Sequence, residues 1–351
     1  MRRFMFSLLI FLLAFFALPA AAQEGVAQRN KEAFRSALIE ASAGNPGALA
    51  EIHAEQYQSN QGGVTLQDSS RESLEMFANA LFAALPDLQI TPDVLIAQDD
   101  WVAGSITYSG TFSAPFSFPP FGDTPFAPTN QPVQWTEMNF LRFNDDAEIV
   151  EAWVISDPSV MLTQLGVFPP QPNGAPPPEN PLTDPVGYKA LSADELAATF
   201  TSGMEAANVK TWQDSVQDIL TPDPIYANPY ILRVQDVFIQ EVRPGASSDG
   251  GFLGIIFSAM PDIKATPAIV VAEGDWVASL MTFSGTFTNE ASLGPMTLKP
   301  TGGVVTWQLG FIDRFDAEGK VAEEWSADNP MPIMQGLGLM PPADTTPEAG
   351  S

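Results

Sequence analysis

Proton-transfer chemistry needs a carboxylate or an imidazole held in a controlled environment, and this sequence offers few places for one. The run from Glu148 to Ser156, followed by Asp157, reads as a strand. Strand residues alternate faces, so Ile149, Glu151, Trp153, Ile155 and Asp157 share a side. At roughly 3.4 Å per residue the two carboxylates lie about 20 Å apart, too far to share a proton. Each would have to work alone. A second stretch of the same kind carries Glu323, Trp325 and Asn329 on one side, with Asp328 projecting to the other. An amide is no general base, which makes that second stretch the weaker candidate. The one histidine, His53, stands in Glu51-Ile52-His53-Ala54-Glu55-Gln56-Tyr57, while the stretch around Tyr226 and Tyr230 offers hydroxyls and no imidazole. With one His, no Cys and no calcium-loop spacing among the acidic residues, no metal site is expected. The glycine motifs Gly302-Gly303 and Ser284-Gly285 lack a phosphate-loop context, so no cofactor is expected either.

The elements that must position these residues occur twice. Asp100 to Phe112, DWVAGSITYSGTF, returns as Asp275 to Phe287, DWVASLMTFSGTF, identical at nine of thirteen positions. Pro86-Asp87 matches Pro261-Asp262 at an offset of 175. Beyond the following loop the offset is 172, pairing Trp135 with Trp307, Arg142-Phe143 with Arg314-Phe315 and Trp153 with Trp325. In the first copy, helical spacing over Gln28 to Ala43 and Glu72 to Leu85 precedes strand-like runs at Val94 to Ala97, Trp101 to Phe112, Val133 to Asn144 and Glu148 to Ser156. The second copy repeats the order, with helices over Ala193 to Ala207 and Thr211 to Ile219, then strands at Ala268 to Glu273, Trp276 to Thr288, Val304 to Phe315 and Lys320 to Trp325. Helices followed by an antiparallel meander predict an α+β unit. The tryptophans repeated at matched positions read as shared core.

Residues 169–187, PPQPNGAPPPENPLTDPVG, read as an extended spacer, and 343–351 as a disordered tail. This gives domains at 24–168 and 188–342. Arg2 and Arg3, the apolar run from Phe4 to Leu18 and the small residues before Gln23 make residues 1–22 a signal peptide cleaved after Ala22, and the protein secreted or periplasmic. Contact with a membrane would come only through that segment if uncleaved. A formal charge of −27 repels phosphate-rich partners, which excludes nucleic acid, and otherwise serves solubility.

Taken together, Met260-Pro261-Asp262, Gly274-Asp275-Trp276-Val277, Ser284-Gly285-Thr286-Phe287, Pro300-Thr301-Gly302 and Arg314-Phe315-Asp316-Ala317-Glu318-Gly319-Lys320-Val321, with Glu324 and Trp325, resemble the SnoaL-like polyketide cyclases of the NTF2-like superfamily. Leu85-Pro86-Asp87, Asp100-Trp101-Val102, Gly110-Thr111-Phe112, Arg142-Phe143, Glu151 and Trp153 carry the same resemblance in the first copy. It implies two tandem α+β cones, each a curved antiparallel sheet wrapped around helices, with an apolar pocket at one end for a small molecule. It also implies acid/base chemistry of the ester-cyclase type, in which an Asp and a His take and return the proton. The resembled cyclases' His falls on Asn139 in the first copy and Phe311 in the second, which departs from the family pattern.

The expectation is therefore a small apolar or polyketide-like ligand, with Asp157 as candidate base and His53 as a second candidate, at the pocket mouth, in the first domain. Tyr57, Asn139, Glu151, Trp153, Tyr226, Phe311, Glu323, Trp325 and Asn329 would line the pockets. The alternative is a non-catalytic binding or interaction module, its two copies docked as an internal pseudo-dimer.

Overall fold

The structure is a computed structural model that describes residues 20–61, 64–66, 69–117, 125–164, 225–234, 238–242, 252–293 and 296–338. Residues 1–19 of the signal peptide expected at 1–22, the spacer expected at 169–187, the helices expected at 193–207 and 211–219, and the tail expected at 343–351 lie outside the described residues, while residues 20–22 open α1. In the first half the order is α1 (Ala20–Ser42), α2 (Gly47–Glu51), β1 (His53–Gln61), β2 (Val64–Leu66), α3 (Arg71–Ala84), β3 (Gln89–Gln98), β4 (Trp101–Thr111), β5 (Pro132–Phe143), β6 (Ile149–Ile155) and α4 (Pro158–Gln164). In the second it is β7 (Tyr226–Val234), β8 (Phe238–Val242), α5 (Phe252–Ala259), β9 (Lys264–Glu273), β10 (Trp276–Thr286), a small hairpin of β11 (Ala291–Leu293) and β12 (Met296–Leu298), β13 (Val304–Phe315), β14 (Val321–Asp328) and α6 (Met331–Gly336).

The two six-stranded sheets share one topology, β2-β1-β6-β5-β4-β3 and β8-β7-β14-β13-β10-β9. The meander is antiparallel as expected, but β1 joins β6, and β7 joins β14, in parallel. The sequence reading gave no strand at 53–61 or 226–234. HAEQYQSNQ lacks the apolar alternation of a half-buried strand, so its pairing comes from the neighbouring β6 and not from local propensity.

Helix α1 sets Phe34, Leu38 and Ala41 into the concave side of the first sheet. Helix α3 starts where the Ser70 hydroxyl accepts the Ser73 N–H at 3.1 Å, and stops before Pro86. The repeated motifs are joints of this scaffold. Asp87 accepts the Thr111 N–H at 2.7 Å and the Thr111 hydroxyl at 2.8 Å, and Asp262 does the same for Thr286. The glycine before each threonine admits the Pro-Asp turn: a Cβ on Gly285 would stand 2.7 Å from Ile263 Cγ1.

Three apolar clusters result. One fills each concave face, and the third lies between the two sheets, joining Val94, Ile96, Met138, Phe140 and Ile155 of the first half to Val271, Trp276, Leu280, Ile312 and Ala327 of the second. Polar links border it: Glu273 pairs with Lys31 and accepts the Ala97 N–H at 2.7 Å, and Gln98 accepts the Ala272 N–H at 2.9 Å. At the equivalent positions Met138 and Gly310 the two halves differ. A Cβ on Gly310 would lie 2.6 Å from Met138 Sδ, so the missing side chain on one strand makes room for the long one on the other.

Candidate functional site

The residues selected by strand alternation do not share one face. Opposite Arg142-Phe143 the register slips between Glu151 and Ile149, leaving Val150 as the extra residue of a bulge. Ile149 and Ala152 therefore join the first half's core, while Trp153 and Ile155 join the cluster between the sheets. Glu151 accepts Arg142 Nε at 2.8 Å and Trp153 Nε1 at 2.8 Å. In the second half Glu323, fully buried, accepts Arg233 Nε at 2.6 Å, Trp325 Nε1 at 3.1 Å and Arg314 Nε at 3.4 Å, and the Arg233 guanidinium lies 4.8 Å above the Trp325 ring. Trp325 also packs against the cluster between the sheets. Trp153 and Trp325 thus belong to the contact between the halves, and Glu151 and Glu323 hold their indole N–H groups.

Asp157 follows β6, half-buried. Its charge reaches Asp328 of the other half, whose carboxyl is pushed up to about 6, chiefly by burial and then by Asp157. Asn329 accepts the Met331 N–H at 3.0 Å and so shapes the start of α6. His53 opens β1, with Nδ1 2.8 Å from the Leu49 carbonyl and its ring 4.6 Å from Tyr57. Burial holds this imidazole down at about 4, hence neutral, and burial raises the Tyr57 hydroxyl to about 12. Tyr57 packs against the first core and Phe311 against the second, while Asn139 is buried on β5 with its Nδ2 3.5 Å from the Glu137 carbonyl.

The polar group that alternation from Trp325 passed over lies inside the second half. Asp313 sits between Phe311 and Phe315, both in the core cluster, and so shares their inward face. Across the ladder its partner is Glu324, turned inward by a second bulge at Ala322. Residues so paired place their Cβ atoms about 5 Å apart. Asp313 is 4% exposed and Glu324 8%. The Tyr226 hydroxyl donates to Glu324 Oε2 at 2.6 Å, and the Tyr230 ring lies 4.4 Å from that of Tyr226. Burial, only partly offset by Tyr226, pushes Glu324 up to about 7. Burial, then the Glu324 charge, pushes Asp313 well above the usual carboxylate range. Two buried carboxyls so placed cannot both ionise cheaply, and each raises the cost of charging the other.

On the same wall, Ser279 stands between Val277 and Met281 of the core cluster, opposite Phe311 and therefore diagonal to Asp313. Asp313 Oδ1, Ser279 Oγ and Trp307 Nε1 are buried and have no hydrogen-bond partner. Among the described residues no group of three or more His, Cys, Asp or Glu is placed to hold a metal ion.

The first half holds other residues at these positions. By ladder register Tyr226 occupies the place of His53, so that histidine does have a counterpart, and Tyr230 the place of Tyr57. At offsets of 172 and 175, Leu141 stands for Asp313, Ala152 for Glu324 and Gly104 for Ser279. Its inward carboxylate is Glu137, which accepts Trp135 Nε1 at 3.2 Å. Beside it Tyr108 stacks on Trp135 with centroids 4.9 Å apart, its hydroxyl raised by burial and by Glu137.

The family model for SnoaL-like polyketide cyclases matches residues 32–165 and again 210–337. The chain belongs to the SnoaL-like polyketide cyclase family, as a tandem pair of NTF2-like units. Among solved structures it is similar to AclR from Streptomyces galilaeus, at 21% identity over 42% of this chain and 86% of that one, with a TM-score of 0.35. It is similar also to IdmH from Streptomyces antibioticus, at 25% identity over 39% of this chain and 99% of that one, TM-score 0.32. A SnoaL-like polyketide cyclase from Agrobacterium tumefaciens matches at 19% identity over 39% of this chain and 98% of that one, TM-score 0.30. No curated protein matches.

Proposed function

We propose that this protein, exported by its signal segment to the periplasm or the exterior, binds a small apolar, polyketide-like molecule inside its second cone. The observation that carries the reading is the set of unpartnered buried atoms on one wall, Asp313 Oδ1, Ser279 Oγ and Trp307 Nε1. A buried polar group without a partner costs about 1–3 kcal/mol, and three of them amid Phe311, Phe315, Met281 and Val277 call for something polar to meet them. A mostly apolar molecule with a carbonyl or hydroxyl at one end satisfies both the wall and its polar atoms. The first cone, with Leu141 and Ala152 at the acid positions, serves as the docked partner that holds the second sheet in shape.

The test uses the bicyclic ketone 2-tetralone with the full chain. Saturating ketone raises Tm, and Ser279→Phe, which sets a ring against the polar atoms of this wall, removes that shift while leaving a cooperative unfolding transition. A shift that persists in Ser279→Phe, or no shift in the native chain, refutes binding at this wall.

A further inference from the structure

We propose that the ligand of the second cone is an apolar molecule bearing a protonated aliphatic amine, which Asp313 and Glu324 hold between them. This rests on the binding reading above and adds an ammonium group to that ligand.

At this end of the wall the buried polar atoms call for donors. Asp313 and Glu324 are paired across β13 and β14, among Phe311, Phe315, Val277 and Val321. The Tyr226 hydroxyl meets Glu324 through Oε2, while Asp313 Oδ1 and, diagonal to Asp313, Ser279 Oγ are buried without a partner. An ammonium carries three N–H donors, enough for Asp313, Glu324 and Ser279 at once. The Ser279 O–H can then donate to an oxygen on the same ligand. At the equivalent places of the first half stand Leu141, Ala152 and Gly104, so none of the three acceptors is repeated there.

The charges around the pair select a cation. Arg233 and Arg314, the basic side chains of this region, are taken by Glu323, which the bulge at Ala322 turns to the other face. From β7 come Tyr226 and Tyr230, whose hydroxyls burial keeps protonated, and α5, β10 and α6 bring no titratable side chain. Asp275, before β10, and Asp328, at the end of β14, add only negative charge. Among the described residues no cation therefore neutralises the pair from inside. A positive charge between two buried carboxyls lowers the cost of ionising both, whereas a ligand carboxylate or phosphate would raise it. The rings of Tyr226 and Tyr230, 4.4 Å apart, stand beside the pair, and aromatic rings attract alkylammonium groups. Over longer range the formal charge of −27 draws a cation toward the protein.

Binding is thereby linked to protons. Burial holds Glu324 at about 7 and Asp313 higher, while an aliphatic amine, with an ordinary value of roughly 10, arrives charged. Its charge drives a proton off the pair. Affinity for the amine therefore falls as pH drops below about 7, because protons compete for the same carboxyls.

The experiment is titration calorimetry on the full chain with three molecules built on one bicyclic frame: 2-aminotetralin, 2-tetralone and 1,2,3,4-tetrahydro-2-naphthoate. At neutral pH the amine binds about 10–100-fold more tightly than the ketone, as charge-assisted hydrogen bonds allow, and the carboxylate does not bind. Titrations in two buffers of different ionisation enthalpy show net proton release with the amine and none with the ketone. Glu324→Gln brings the ratio of amine to ketone affinity down to about 1. Ser279→Phe abolishes amine binding, which attraction by the overall charge alone would leave in place. The proton release is read on the native chain and needs no variant to fold. Ketone binding with an amine that binds no more tightly, amine binding without proton release, an unchanged ratio in Glu324→Gln, or amine binding that persists in Ser279→Phe overturns the ammonium site and leaves the binding reading intact. Absence of binding by both ketone and amine overturns both.

Discussion

The interior of the first half and the interior of the second have the same strands in the same register and opposite chemistry. Where the first has a neutral imidazole and Tyr57 with Leu141 and Ala152 on the neighbouring strands, the second has two tyrosines with Asp313 and Glu324. The joints kept in both copies, Asp87 with Thr111 and Asp262 with Thr286, or Glu151 with Trp153 and Glu323 with Trp325, all brace the scaffold. What a duplicated chain keeps twice is its architecture, and what it changes in one copy is where a function can reside.

The contrast has a thermodynamic signature. Glu324 has a raised value when folded, so the cost of its charge is absent below its ordinary value near 4.5 and appears in full as pH rises through about 7. His53 has a lowered value, so its contribution is full above 6.5 and is lost as pH falls toward about 4. Between 4.5 and 6.5 the two slopes oppose each other. Each group is worth roughly 3 kcal/mol across its whole window. Asp313 and Asp328, also raised, add to the fall, so stability measured by urea unfolding at a series of pH values falls with pH in the native chain over that range. It falls more gently in Glu324→Gln and more steeply in His53→Gln. Equal slopes in the two variants would erase the distinction between the interiors.

A smaller effect probes how the halves meet. Gly310→Val puts methyl groups where Met138 Sδ already lies, and lowers stability by about 1–3 kcal/mol. Adding Met138→Ala restores most of the loss, whereas failure of that rescue would mean that the two sheets do not pack through these positions. Smaller still, Ser70→Ala removes the N-cap of α3 and costs about 1 kcal/mol. It acts in the first half and leaves 2-tetralone binding in the second unchanged.

Much of the scaffold was legible in the sequence. Val304–Phe315 was found to the residue, and the paired offsets located the matched strands of the two sheets. Strand β1 was not legible, because a polar segment paired to an inner strand carries no hydrophobic alternation of its own, and in β7 the turn signal Asn228-Pro229 interrupts the run. The site escaped for a related reason. Counting alternate residues from Trp153 assumed an unbroken strand and an inward tryptophan, but the bulges at Val150 and Ala322 break the count, and the tryptophans face the other half. The clue lay one strand earlier, in Trp307-Leu309-Phe311-Asp313-Phe315, where an acid interrupts an otherwise apolar inward row.

The most direct test of the contrast between the two interiors is a carboxyl-carbon NMR titration of the full chain labelled at Asp and Glu. One carboxyl titrating near 7, coupled to a second that stays protonated well above the usual range, with the step near 7 lost in Glu324→Gln, is the predicted result. A titration in which the step near 7 survives in Glu324→Gln, or in which Asp313 and Glu324 both ionise at ordinary values below 5, would contradict it.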